Sequence, residues 1–189
     1  MQKIIPCLWF DKQAEEVAKF YITIFNNSKI GRIARHDESS SRVAGQPDGS
    51  ILTIEFEIDG YNFLGLNGGP HFKINPSISF FLNFDPSNDN NARENLDMVW
   101  NKLSDGGTAF MPLNKYPFSE RYGWLQDKYG VSWQLILSKP EGDNRPFIVP
   151  SFLFANDVYG KTEEARILYF FIHEFETRNN CPLSHRNGT

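Results

Sequence analysis

The chain has 189 residues, 40% of them hydrophobic and 15% aromatic, with a formal net charge of −4. That is apolar material for one well-buried domain, or for one domain and a fragment, and too little for two full domains. The acidic balance contains no Lys/Arg run to meet a phosphate backbone, and no apolar stretch is long enough to span a bilayer, so neither nucleic acid nor membrane is an expected partner.

The chain opens with a strand-like heptad, "IIPCLWF" at residues 4–10. Met1 is followed by a polar pair and this heptad rather than by an apolar leader, which gives a cytoplasmic expectation. Asp11 then stands as a plausible N-cap for a helix over residues 11–25, whose apolar face carries Ala14, Val17, Ala18, Tyr21, Ile24 and Phe25 at spacings of three and four. Residues 28–37 read as extended, "SRVAGQPDGS" (41–50) as a turn-rich loop, and "ILTIEFEIDGYNFLGLNGG" as two strands joined through Asp59-Gly60, a strong hairpin signal.

From Ser77 the same order returns. "SISFFLNF" is a strand, residues 91–103 place Ala92, Leu96, Val99 and Leu103 on one helical face before Gly106-Gly107, and "TAFMPL", "RYGWLQD" and "VSWQLIL" are three further strands. The expected architecture is α+β: paired βαβββ modules over 3–69 and 77–138 within a domain of residues 1–139, two small sheets curving together with helices outside and a cleft between. A polar Pro/Gly linker follows at 140–147. "IVPSFLF" at 148–154 then nearly repeats the opening heptad, and with the apolar helix after it reads as a truncated start of a second such domain over 148–175. Residues 176–189 have no strand pattern and are expected to be a disordered tail. The two cysteines, Cys7 and Cys181, form no C-x-x-C and are read as free thiols.

Several residues are candidates for chemistry, each beside a plainer role. Glu55 and Glu57 share one strand face and could bind metal or move protons; a solvated outer face explains them equally. Asn67 precedes Gly68-Gly69, where the backbone can approach a ligand closely, or simply joins the two modules. His71 on that connector has the pattern of a surface histidine. In the dense "YGWLQDKYGVSWQLIL", Trp124 and Gln126 share a face, while Trp133 and Leu135 point opposite to Gln134; a buried Gln134 amide needs a partner, in a ligand or within the sheet. His173 and His185 have no companions at metal-ligand spacing.

"PCLWFDKQAEEVAKFYITIFNNSKI", "LNGGPHFKINPSISFFLNF" and "YPFSERYGWLQDKYGVSWQLIL" together resemble the PhnB-like branch of the vicinal oxygen chelate superfamily, the glyoxalase and bleomycin-resistance fold. This branch often carries the label 3-demethylubiquinone-9 3-methyltransferase. The resemblance covers residues 3–138 and implies paired βαβββ modules, a homodimer, and a curved sheet around a small-molecule site that often holds a divalent metal. Where relatives place His, Glu or Gln ligands, this chain has Ile5 to Cys7 on the first strand, Leu64 to Asn67 on the fourth, Ser77 and Ser79 on the fifth, and Gln134 on the eighth. That set is poor in charged or imidazole donors, so no metal and no other cofactor is expected. A methyl-donor cofactor would call for a glycine-rich strand-to-helix loop, which the sequence lacks.

Two functional readings follow. In the first, the cleft binds a small apolar or aromatic molecule without metal, using Trp9, Asn67, Ser77, Ser79, Trp124, Trp133 and Gln134. In the second, a metal-dependent glyoxalase-, dioxygenase- or transferase-type enzyme assembles its site from Glu55, Glu57, Asn67, His71 and Gln134.

Overall fold

A computed structural model describes residue 2, residues 4–139 and residues 145–167. Cys181, His173, His185, the tail at 176–189 and the expected continuation of the apolar helix beyond residue 167 lie outside the described residues. The chain divides into two compact units, Met1–Ser151 and Phe152–Thr189. In the second unit, residues 162–167 are helical.

The first unit holds the two expected modules. The first runs β1 (Cys7–Phe10), α1 (Ala14–Ile24), β2 (Ser28–Arg35), α2 (Glu38–Ala44), β3 (Ile51–Ile58) and β4 (Tyr61–Asn67). The second runs β5 (Ile78–Phe84), α3 (Ala92–Ser104), β6 (Thr108–Tyr116), β7 (Ser119–Gln126) and β8 (Ser132–Leu137). Each module forms its own sheet, and in each the first strand lies parallel to the last: β1 beside β4, β5 beside β8. The orders are β1-β4-β3-β2 and β6-β7-β8-β5-β9, where β9 is Ile148–Phe152. The heptad expected to open a second domain thus contributes its strand to the second sheet, beside β5.

The periodicities hold because they describe burial. Every apolar residue assigned to the two helical faces is buried, and the Asp59-Gly60 turn has φ of 48° and 78°, the left-handed pair that a two-residue hairpin needs. Two local readings are corrected. The 41–50 stretch is not loop throughout, because its first residues complete α2: Asp37 caps it reciprocally with Ser40, and Gly45 ends it at φ 64°. Asp11 is not the cap of α1; Asn67 reaches across from β4, its Oδ1 accepting from the Ala14 backbone N–H at 2.9 Å.

The expected cleft between the sheets is filled. The helix-covered faces of both sheets meet in one core, where the Phe63 ring lies 5.1 Å from Phe80 and 6.4 Å from Trp133. Tyr21 of α1 packs on both Phe56 and Trp133. The strand faces that remain available are therefore those turned away from this core, one on each sheet.

Candidate binding surface

Strand alternation decides which side chains reach those outward faces. In the second sheet, Phe80, Leu82, Trp133, Leu135 and Leu125 are buried in the core. Their neighbours Ser79, Ser132, Gln134, Tyr122 and Trp124 consequently share the other face, with Trp124 directly opposite Gln134 and Ser79 opposite Ser132.

These residues form a polar network. Tyr122 Oη donates to Gln134 Oε1 at 2.5 Å, and Gln134 Nε2 donates to Ser79 Oγ at 2.8 Å. Trp124 Nε1 donates to Ser132 Oγ at 2.8 Å. Both ends of the Gln134 amide are satisfied within the sheet, which is how it tolerates being 9% exposed. Ser79, itself 3% exposed, accepts from the amide and closes the network. Desolvation, reinforced by the neighbouring Tyr116, pushes the Tyr122 phenol up to about 12, so it stays a neutral donor. Around the network stand aromatic rings: Phe110 is edge-on to Trp124, Tyr116 stacks on Phe118, and both pack on Tyr122. Phe110 and Phe118 remain 41% and 53% exposed.

The other predicted residues are dispersed. Trp133 is wholly buried in the core and its indole donates to Asp127 at 2.9 Å, so it lines no ligand surface; the alternation that turns Gln134 outward turns Trp133 inward. Asn67 is committed to structure, accepting from Ala14 and donating to the Ile51 carbonyl at 3.0 Å. Trp9 is tied to the connector: its indole donates to Gly69 O at 2.8 Å and meets Phe72 edge-on at 4.9 Å. It rests on Gly68, where an added Cβ would fall 2.3 Å from the indole. Ser77 is exposed in the turn before β5, and His71 is exposed on the connector. Glu55 and Glu57 occupy the outward face of the first sheet, Glu57 paired with Lys29 at 3.1 Å. No hydrogen bond, ion pair or ring contact between described residues joins that face to Gln134. Among the described residues, Glu55, Glu57 and His71 form no group of three that could hold a metal ion.

Nor do these residues fit the divalent metal common in such folds. The first, fourth, fifth and eighth strands bring a thiol, two leucines, a hydroxyl and two amides, and both amides are engaged within the fold. Among the described residues no three His, Cys, Asp or Glu side chains cluster to hold an ion.

Tyr122 and its aromatic neighbours were missed in the sequence reading, although an amide needing a partner, with a tyrosine on the strand just before it, was a usable signal. Two cavities lie elsewhere. One of about 490 Å³ is lined by Asn83, Asp85, Met98, Arg145 and Phe147, and none of the predicted residues reaches it. Its Asp85 is taken up by Ser87 and Asn88. The other, of about 360 Å³, includes Asn67 beside Lys12 and Arg35.

The family described as 3-demethylubiquinone-9 3-methyltransferase matches residues 2–136. Among solved structures, this chain is similar to the PhnB protein from Bacillus cereus, at 36% identity and a TM-score of 0.62 over 72% of this chain and 100% of that one. It is similar in fold to protein PA1353 from Pseudomonas aeruginosa, at 18% identity and a TM-score of 0.57 over 72% of this chain and 98% of that one. Among curated proteins there is no match.

Proposed function

Since the chain belongs to the family described as 3-demethylubiquinone-9 3-methyltransferase, the PhnB-like branch of the vicinal oxygen chelate superfamily, we propose that it is a cytoplasmic protein binding a small apolar or aromatic molecule on the outward face of its second sheet, without a metal. No helix among the described residues is long and apolar enough to cross a membrane.

The Tyr122–Gln134–Ser79 chain of hydrogen bonds carries this reading. It fills the position where a metal ligand would stand with a neutral amide locked at both ends. Its rigid floor holds the rings of Trp124, Phe110 and Phe118 at the rim, where a planar ligand gains roughly 0.5–1.5 kcal/mol per ring pair beyond its buried area. Ser79, 3% exposed, acts beneath such a ligand by anchoring the Gln134 amide.

A thermal-shift series of the purified full chain against planar phenols, quinones and aromatic ketones tests it. Stabilisation by at least one of these compounds is expected, weakened by Trp124→Ala and by Ser79→Ala. Stoichiometric binding of Ni, Mn, Fe or Zn that tightens with a non-aromatic metabolite would defeat the proposal.

A further inference from the structure

The cavity of about 490 Å³ at the end of β5 is walled in part by Arg145 and Phe147, which lie beyond the family match at 2–136. We propose that the segment entering β9 completes there a binding site for a small primary amine with an apolar body, separate from the aromatic face of the second sheet.

The apolar side of the cavity depends on that segment. Phe25, just after α1, and Phe84 of β5 are buried, and the Phe147 ring packs edge-on against both, at 6.3 and 5.3 Å. The Phe147 carbonyl accepts from the Asn83 N–H at 2.8 Å, so the pairing that seats the segment on β5 also sets the ring. Met98 and Val99 of α3 line the same space.

The polar side accepts hydrogen bonds and has few to give. Asn83 is only 8% exposed, and its Nδ2 is spent on the Pro146 carbonyl at 2.9 Å. Asn88 and Asn95 spend theirs on Asp85 Oδ2 and Asp89 Oδ2, at 2.9 and 2.7 Å. Carbonyls and carboxylates only accept, so chemistry fixes the orientation of all three amides, and each Oδ1 has no donor among the described residues. An amide oxygen on a side chain nine-tenths buried, lining a cavity and unmatched from within the fold, is an acceptor set for a ligand.

Charge selects the kind of donor. Asp59, Asp85 and Asp89 line the cavity against a single cation, Arg145. The side-chain and backbone bonds from Ser87 hold the Asp85 carboxyl below the usual carboxylate range, so it stays ionised at neutral pH. Asp85 Oδ2 and Asp89 Oδ2 each accept one amide bond and keep a second lone pair. An ammonium group offers three donors and the opposite charge, while an apolar body attached to it rests on the three phenylalanine rings. An anion is repelled, and a neutral alcohol brings one donor and no charge.

Calorimetric titration of the full-length chain with benzylamine, and with benzyl alcohol as its uncharged counterpart, tests the proposal. Benzylamine is expected to bind saturably and about tenfold more tightly than the alcohol, because hydrogen bonds to charged groups are the stronger ones. Asp89→Asn should weaken the amine about tenfold, Phe147→Ala should weaken amine and alcohol alike, and Arg145→Ala should tighten the amine by removing a like charge. Arg145 is exposed, so R145A keeps the test open should D89N fail to fold. Trp124→Ala should leave benzylamine binding unchanged, whatever it does to ligands of the aromatic face. The proposal is overturned if the amine binds no more tightly than the alcohol, if neither D89N nor R145A moves its affinity, or if W124A abolishes it.

Discussion

Tyr21 and Asp127, 106 positions apart, are joined by a hydrogen bond of 2.6 Å from the phenol to the buried carboxylate. Asp127 also accepts from the Trp133 indole and from the backbone N–H groups of Tyr129 and Val131. One side chain thus closes the β7–β8 turn and ties it to the helix of the other module. Tyr21→Phe should lower stability by about 1–3 kcal/mol, the cost of an unmet buried partner, and Asp127→Asn by more, because its amide hydrogens would confront donors. Urea midpoints measure both; equal values for Y21F and wild type would refute the clamp.

The same carboxylate gives a pH dependence. Burial holds Asp127 above the usual carboxylate range, although four donors pull the other way. Its folded form therefore binds a proton more tightly than its unfolded form. That contribution to stability is present below the unfolded pKa of about 3.9 and is lost as pH rises through the raised folded value. The stability gap between wild type and D127N should accordingly be wider at about pH 4 than at about pH 7. Urea midpoints at the two pH values decide it, and a gap that widens with pH would contradict the assignment.

Asn67 stands in for the cap that α1 lacks in its own sequence. Asn67→Ala should cost about 0.5–2 kcal/mol and raise hydrogen exchange in the first turn, residues 14–17. Asn67→Asp, which keeps the acceptor and loses the bond to Ile51, should fall between wild type and alanine.

Gly123 lets α3 approach β7. A Cβ there would lie 2.4 Å from the Trp100 ring, so Gly123→Ala must displace the indole, at a cost of about 1–3 kcal/mol. A changed near-ultraviolet circular dichroism signal together with a lower urea midpoint is the expected result; an unperturbed spectrum would be inconsistent with this packing.

Tyr122→Phe strands the Gln134 carbonyl oxygen and should destabilise by about 1–3 kcal/mol. Pairing it with Gln134→Leu, which removes the stranded group, should recover part of the loss, as a double-mutant cycle would show. Additive losses would mean the two side chains act independently.

The sequence alone was sufficient for the modules and for both helical faces, because period and burial are properties of a single segment. α2 was also within reach through Asp37, Ser40 and Gly45. Asn67 was legible as a residue of interest, but its work as the cap of α1 depends on a fold that returns β4 beside β1. The repeated heptad was plain in the letters; that Ile148 would be buried on the edge of β5 was not.

What the sequence by itself determined is the architecture, since βαβββ written twice specifies strands, helices and their inward residues through local periodicity. What only the tertiary structure decided is which faces meet. Trp133 and Gln134 are neighbours in the chain, yet strand alternation sends one to the shared core and the other to the polar network on the opposite face of the sheet. Which of those sides is closed depends on how two sheets dock, and docking is fixed by contacts between residues remote in sequence, such as Tyr21 with Asp127 and Phe63 with Phe80.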